Sequence, residues 1–136
     1  ELVQNPYGNY VVQYILDIQI DIENVPLKIM KRLQGNFISY SKQKFSSNVI
    51  EKCLKKGNYQ VQHILIEEYT ECRNPSRTLL ELMKDLYGNY VIQTILAQSK
   101  QKSKKDFARL SSYITPCIPS LKKRPCAKRI KKILQN

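Results

Sequence analysis

Three short segments of the chain repeat a polar pattern on an apolar frame. Residues 7–13 read YGNYVVQ, residues 45–51 read FSSNVIE, and residues 87–93 read YGNYVIQ. In each segment the first and third members of a polar trio are four positions apart, so on a helix they are neighbours on one face. The middle member is rotated by about 100° from the first. The trios are Asn9, Tyr10 and Gln13; Ser47, Asn48 and Glu51; and Asn89, Tyr90 and Gln93.

The side chains of these trios carry the hydrogen-bonding groups that match nucleobases. An Asn amide and a Gln amide each offer a donor and an acceptor, which suits the O2, N3–H and O4 edge of uracil. The carboxylate of Glu51 only accepts, and it can take both the N1–H and the N2–H₂ of guanine. Tyr10 and Tyr90 offer flat faces for stacking, worth about 1–3 kcal/mol per base. Helix caps or ordinary tyrosine packing would explain one trio, but three in one register favour base recognition.

Apolar residues hold the trios in a constant frame. Each segment continues into an apolar pair one turn later, and a degenerate fourth copy at 125–132 does the same. Aligned on Asn9, Ser47, Asn89 and Lys128, the copies are 38, 42 and 39 residues apart. A helical repeat of about 36–42 residues is typical of an α-solenoid, in which each unit buries its apolar face on its neighbours. We therefore expect an all-α, right-handed α–α superhelix of three-helix repeats.

The middle unit indicates how three helices follow one another. A short helix is expected at 37–40. Ser46 and Ser47 are suited to cap a second helix, and this helix is expected to end at Gly57. Apolar residues at helical spacing predict a third helix over about 58–71.

Positive charge is concentrated at one end of the chain. The formal net charge is +12, and residues 100–136 hold 12 basic residues against one acidic residue, Asp106. Such a segment favours a polyanionic partner, most commonly nucleic acid, although a solvated terminal face has the same composition. Apolar residues make up 42% of the chain, which is enough for a packed core and argues against intrinsic disorder.

The sequence offers little for other classes of function. It lacks an uncharged apolar stretch of about 18 residues that could span a membrane, and it lacks nucleophile-elbow, phosphate-loop and zinc-protease motifs. The four cysteines have no paired metal-ligand spacing, and His63 is the only histidine. We therefore expect no enzyme activity, no metal and no cofactor. Free thiols without an export signal indicate a reducing, cytoplasmic location.

The repeated segments resemble those of the Pumilio (PUF) family of RNA-binding proteins. The resemblance rests on NYVVQ at 9–13, SNVIEK at 47–52 and NYVIQ at 89–93, and it extends over essentially the whole chain. In that family each three-helix repeat reads one base with two or three side chains. There NYxxQ implies uracil and SNxxE implies guanine. The resemblance thus implies a partner, single-stranded mRNA with a UGU core, that runs antiparallel to the protein.

The resemblance also implies roles for individual residues. Base edges would be read by Asn9, Gln13, Ser47, Glu51, Asn89 and Gln93. Bases would stack on Tyr10, Asn48 and Tyr90. Phosphates would be contacted by Lys44, Lys52, Lys122, Lys123, Lys128, Arg129 and Lys132. The units look like the last three of eight repeats: a truncated sixth at 1–23, a seventh at 24–66, an eighth at 67–106 and a terminal half-repeat at 107–136.

From the family we expect binding to mRNA 3′ untranslated regions, repression of translation and promotion of mRNA decay. Deadenylase or translation-repressor proteins would be the protein partners. Two alternatives stay open at this point. One is a protein-binding solenoid of the armadillo or HEAT type, whose concave face would carry asparagine ladders or mixed charges. The other is a nucleolar PUF-like protein that binds structured RNA through degenerate trios, against which the intact trios argue.

Overall fold

The computed structural model describes residues 2–17 and 24–135. Over these residues the α-helices are α1 Gly8–Asp17, α2 Val25–Leu33, α3 Phe37–Ser41, α4 Lys44–Lys56, α5 Tyr59–Glu71, α6 Pro75–Lys84, α7 Gly88–Lys102, α8 Lys104–Ile114 and α9 Pro125–Gln135. Two 3₁₀ segments span Leu2–Gln4 and Thr115–Leu121. Within the described ranges there is no β-strand, and no helix is long and apolar enough to cross a membrane. The expected all-α fold is confirmed.

The helices pack as a solenoid of repeated units. The inner row consists of α1, α4, α7 and α9, and each of these helices packs on the next. A second row consists of α2, α5 and α8, which also contact one another in order. The short helices α3 and α6 and the two 3₁₀ segments lie beside the inner helices that follow them. One complete unit is therefore α3–α4–α5 and the next is α6–α7–α8, as the helix–helix–helix pattern predicts.

The expected helices of the middle unit are present. The short helix predicted at 37–40 is α3, and the third helix predicted over about 58–71 is α5. Two expected unit boundaries, 66/67 and 106/107, lie inside α5 and α8. The boundary expected at 23/24 touches residues 18–23, which lie outside the described residues.

The apolar frame residues lie on α1, α4 and α7, which are the helices that carry the trios, and they form much of the core. The frame residues of α4 and of α7 are all buried; they are Val49, Ile50, Cys53 and Leu54 in α4, and Val91, Ile92, Ile95 and Leu96 in α7. In α1 only Val12 and Leu16 are buried, whereas Val11 and Ile15 are exposed. The difference follows from position, because α1 lies at one end of the row and packs on a single inner-row neighbour, α4.

The helices α1 and α7 begin with the same capping arrangement. The side chain of Asn5 accepts hydrogen bonds from the backbone N–H groups two and three residues later, at 2.8 and 2.9 Å. Asp85 does the same before α7, at 2.9 and 2.8 Å. A Cβ on Gly8 or on Gly88 would lie 2.6 or 2.7 Å from the carbonyl oxygen six residues earlier. Glycine is therefore needed at these two positions for the close approach of the preceding turn.

The helix α4 begins differently. The expectation that Ser46 and Ser47 cap it is wrong, because the helix already begins at Lys44 and both serines lie inside its first turn. Ser46 stands where the other motif helices have glycine, and its Oγ donates to the Tyr40 carbonyl oxygen at 2.7 Å. In α1 and α7 the carbonyl oxygen six residues earlier leaves room only for glycine, whereas in α4 the equivalent oxygen accepts a hydrogen bond from the Ser46 side chain. The predicted end of α4 at Gly57 is confirmed.

Two polar contacts tie the α3–α4–α5 unit to the unit that follows it. Lys102, at the end of α7, donates to the carbonyl oxygens of Leu54 at 2.9 Å and Gly57 at 2.7 Å, and burial lowers the pKa of this lysine. His63 on α5 pairs through Nδ1 with the buried Asp106 on α8 at 3.0 Å. That hydrogen bond is the main reason why the pKa of His63 is raised. The middle unit is thus held partly by side chains of the next.

Candidate nucleic-acid interface

The three trios occupy matching positions on α1, α4 and α7, which are successive helices of the inner row. Gln13 of α1 and Asn48 and Glu51 of α4 line one depression of about 180 Å³. Glu51 in turn contacts Thr94 on α7. The trios thus follow one another along the inner row, and we call these nine residues the trio row.

The members of a trio differ in exposure. The first members lie deepest: Asn9 and Ser47 are 0% and 2% exposed, and Asn89 is half-buried. The middle members project to solvent, with Tyr10 62% and Tyr90 47% exposed. The third members are half-buried. A flat exposed aromatic face next to a half-buried polar group is the arrangement that base stacking and edge recognition require.

The trios on α1 and α7, here called the amide trios, share one hydrogen-bond pattern. The Asn9 Nδ2 group donates to two backbone carbonyl oxygens of the preceding turn, both at 2.9 Å. Its Oδ1 accepts from the Nε2 group of Gln13 at 3.0 Å. In α7 the amide of Asn89 likewise bonds the preceding turn, at 2.8 and 3.0 Å, and accepts from Gln93 at 3.0 Å. Each asparagine therefore fixes its glutamine.

This pattern leaves a defined edge on each glutamine. One N–H of Gln13 is used by Asn9, so one N–H donor and the Oε1 acceptor remain. That adjacent donor and acceptor complement the O4 acceptor and the N3–H donor of uracil. The sequence suggested that both amides share the base edge, whereas the two donors of Asn9 are already occupied. Direct contact of Asn9 or Asn89 with a base stays a prediction.

The trio on α4, here called the carboxylate trio, is oriented in another way. Ser47 Oγ donates to the Lys44 carbonyl oxygen on its own helix at 3.2 Å. Glu51 Oε1 instead accepts from Thr94 Oγ1 on α7 at 2.8 Å. Sequence reasoning missed Thr94, because it follows Gln93 outside the trio and contacts a residue 43 positions away. Only the register between α4 and α7 reveals the contact.

Two of the lysines expected to contact phosphate lie on α4. The Nζ of Lys44 is 5.5 Å from the centre of the Phe45 ring. Lys52 pairs with Asp17 of α1 at 2.9 Å, and that hydrogen bond is the main reason why the pKa of Asp17 is lowered. Lys52 would therefore bind a phosphate in competition with a carboxylate, and both phosphate contacts stay predictions.

Basic side chains cluster around α9 and the loop before it. We call this cluster the basic end, and it consists of Lys122, Lys123, Arg124, Lys128, Lys131 and Lys132, which line a depression of about 450 Å³. A second depression of about 400 Å³ adds Lys84 to the loop residues. Arg129 is exposed on α9 but does not line either depression. Four of the residues expected to contact phosphate thus lie together, and Arg124, Lys131 and Lys84 join them.

Metal-ligand clusters and disulfides are absent from the described residues. Within residues 2–17 and 24–135 no group of three or more His, Cys, Asp or Glu side chains could hold a metal ion. All four cysteines are free. Burial raises the pKa of the Cys53 thiol to about 12, so it carries almost no thiolate at neutral pH.

A helical solenoid that presents amide, carboxylate and aromatic side chains in a row, one set per repeat, has the architecture of a repeat protein that reads a single strand base by base. The family model described as the Pumilio-family RNA binding repeat matches residues 1–18, 36–68 and 79–105. The chain therefore belongs to the Pumilio (PUF) family, which is a family of RNA-binding proteins and not of enzymes.

Similar proteins agree with this assignment. Pumilio homolog 12 of Arabidopsis thaliana is 40% identical over 129 residues, which are 95% of this chain and 20% of that protein. The Puf4 RNA-binding domain bound to the HO endonuclease RNA 3′ UTR recognition sequence superimposes with a TM-score of 0.81 at 34% identity, over 97% of this chain and 41% of that chain. A Puf4 double mutant bound to the Cox17 RNA 3′ UTR recognition sequence gives 0.86 at 35% identity, over 99% and 42%. This chain thus spans about a fifth of the Arabidopsis relative.

Proposed function

We propose that this protein binds single-stranded RNA sequence-specifically through the trio row, and that the core of its site is 5′-UGU-3′. The observation that carries the proposal is the alternation along the row: a glutamine fixed by asparagine, a carboxylate, and again a glutamine fixed by asparagine. The Puf4 structures, which hold RNA 3′ UTR sequences, support RNA as the partner.

Each base is assigned to one unit. With the strand antiparallel to the protein, Gln93 reads the 5′ uracil, Glu51 the guanine and Gln13 the next uracil. A carboxylate accepts both guanine donors with charge assistance, whereas each glutamine offers one donor and one acceptor. Tyr10 and Tyr90 stack against bases, and Asn48, which is exposed at the equivalent position, lies between them. Asn9, Ser47 and Asn89 form the floor of the row.

The basic end supplies affinity without base preference. In the antiparallel arrangement the 5′ end of the strand lies nearest α7 and α9, beside the basic end, where phosphates would be neutralised. Replacing Lys122, Lys123 and Lys131 with alanine should reduce the salt dependence of binding by about one unit of slope per lost phosphate contact. The preference for UGU over ACA should not change. A fall in that preference would mean that the basic end also reads bases.

In the cell, we place the protein on mRNA 3′ untranslated regions in the cytoplasm, where it represses translation and promotes decay. Deadenylase or translation-repressor proteins would carry out these effects. This part of the proposal rests on the family. A reporter mRNA with UGU sites in its 3′ untranslated region should lose output and half-life when the protein is present, and a reporter with ACA sites should not.

The direct test is a fluorescence polarisation titration with five RNA oligonucleotides of equal length. Four differ only in the middle base of 5′-UNU-3′, and the fifth carries ACA. We expect UGU to bind most tightly, at micromolar affinity, because three stacked bases at about 1–3 kcal/mol each must also offset ordering costs. Equal binding of all five, or tighter binding of a structured RNA hairpin, would contradict the proposal and favour the PUF-like alternative. Absence of RNA binding would favour a protein-binding solenoid.

A further inference from the structure

The carboxylate trio has a fourth participant that lies in the next unit. We propose that Thr94 on α7 is a specificity-determining residue, which positions Glu51 on α4 for guanine. The inference rests on the proposed function, because it concerns the base that Glu51 reads. Its basis is the hydrogen bond from Thr94 Oγ1 to Glu51 Oε1 at 2.8 Å, between side chains that are both half-buried.

The carboxylate requires a donor from outside its own helix. In the amide trios the first member holds the third, at 3.0 Å in both cases. In α4 the first member is Ser47, whose hydroxyl donates to the Lys44 carbonyl oxygen. Glu51 therefore has no equivalent of the asparagine contact, and Thr94 fills that role.

The contact with Thr94 leaves the guanine-binding capacity of Glu51 intact. An ionised carboxylate offers about four lone-pair directions, and Thr94 uses one of them on Oε1. Oε2 and the second lone pair of Oε1 can still accept the N1–H and N2–H₂ donors of guanine. Because the hydroxyl fixes the rotamer before RNA arrives, less side-chain freedom is lost on binding.

Within the described residues, the side chains at the position of Thr94 on α4 and α9 make no such contact with a trio. The equivalent residue of α4 is Lys52, which pairs with Asp17 on α1 at 2.9 Å. The equivalent residue of α9 is Ile133, whose side chain has no donor. A hydroxyl therefore occurs at this position beside the carboxylate trio, and it is absent beside both amide trios.

The experiment measures base preference at each position in Thr94→Val, which keeps the shape of the side chain and removes the hydroxyl. Thr94→Ser retains the hydroxyl, and Thr115→Val is the matched control, since Thr115 is exposed at the start of the second 3₁₀ segment. Affinities are measured by fluorescence polarisation with the 5′-UNU-3′ series and with a series that varies the first base. Thermal unfolding followed by circular dichroism reports on folding.

We expect Thr94→Val to lower the affinity for UGU about fivefold, the size of one lost charge-assisted hydrogen bond after partial replacement by water. Binding of UUU and the preference at the first base should stay unchanged. Thr94→Ser should restore most of the guanine preference, and Thr115→Val should behave as wild type. Equal weakening of all oligonucleotides, or a guanine preference as large in Thr94→Val as in wild type, would overturn the role of Thr94. A wild-type protein without guanine preference would instead overturn the proposed function.

Discussion

The amide trios and the carboxylate trio orient their third residues by different routes. In α1 and α7 the glutamine is held within its own helix, by an asparagine that is itself fixed to the preceding turn. In α4 the glutamate is held from α7, by Thr94. A serine at the first position is too short to support the third residue and to bond its own turn at once. The third residue is therefore held locally in two units and from a neighbouring helix in the other.

The contrast extends beyond the trios. The same α3–α4–α5 unit receives Lys102 at the end of α4 and Asp106 beside His63 on α5, both from the following unit. In the first turn of α4, Ser46 also stands in place of the glycine with which α1 and α7 begin. The α3–α4–α5 unit therefore differs from the others both at the start of its trio-bearing helix and in the way that Glu51 is held, by Thr94 of the next unit.

The largest expected effect comes from making the carboxylate trio resemble an amide trio. In Glu51→Gln the side chain keeps one acceptor and gains a donor, which faces a donor of guanine and leaves a mismatched buried pair costing about 1–3 kcal/mol. UGU binding should fall about tenfold or more and UUU binding should rise. Ser47 and Asn48 remain, so the switch should be incomplete. The 5′-UNU-3′ series measures it, and an undiminished guanine preference in the variant would mean that Glu51 does not contact the base.

A second change separates the two orienting routes. Asn89→Ala frees Gln93 and removes two hydrogen bonds to the preceding turn. We expect a several-fold loss of uracil preference at the first base and a loss of about 1–2 kcal/mol in unfolding free energy. The counterpart Ser47→Ala removes one hydrogen bond within α4. It should lower both the base preference and the unfolding free energy by less than Asn89→Ala does. Titrations with the first base varied for Asn89→Ala, and with the middle base varied for Ser47→Ala, measure base preference. Urea unfolding of both variants measures stability. Equal losses of base preference would place Ser47 in direct contact with guanine.

A third change tests the dependence of the middle unit on its neighbour for stability. Lys102→Met keeps the aliphatic stem and removes the donor to the Leu54 and Gly57 carbonyl oxygens. Cations at a helix C-terminus bond its free carbonyls, so the loss should be about 1–2 kcal/mol of unfolding free energy. Lys105→Met, at an exposed position of α8, is the control and should be close to neutral. A neutral Lys102→Met in urea unfolding would show that the contact does not bind the units together.

The smallest expected effect is on pH dependence. The pKa of His63 is raised above its ordinary value of 6.5, first by its hydrogen bond with Asp106, and Glu67 lies 2.8 Å from Nε2. The stabilisation of the fold by protonated His63 should be fully present below about pH 6.5 and should be lost as the pH rises through the raised pKa. Because the His63 side chain is 42% exposed, we expect less than about 1 kcal/mol. Urea unfolding of wild type and His63→Gln between pH 5.5 and 8.5 measures the difference, and a gap that widens with pH would reverse this sign.

The repeated apolar frame made the fold predictable from the sequence, because a helical period of about 40 residues leaves few architectures other than a solenoid. The trios were also found from the sequence, since they vary in type while the frame stays constant. The expected cap of α4 is wrong because a serine near a helix start resembles a cap, whereas Ser46 lies inside the helix and bonds the Tyr40 carbonyl oxygen of the preceding turn. The carbonyl acceptors of Asn9 and the contact with Thr94 depend on backbone and helix register, which residue types do not encode.

The turn before Ser47 has a consequence for how base preference can evolve. Ser47 bonds the backbone oxygens of Gln43 and Lys44, the counterparts of the two oxygens that Asn9 uses. The same two oxygens are thus in place for an asparagine, so Ser47→Asn, Asn48→Tyr and Glu51→Gln would convert the carboxylate trio into an amide trio. The opposite conversion in α7 would leave the carboxylate without a counterpart of Thr94, because the equivalent residue of α9 is Ile133, whose side chain has no donor. Converting the carboxylate trio into an amide trio thus takes changes in one helix, whereas the reverse change in α7 also calls for a new donor on α9.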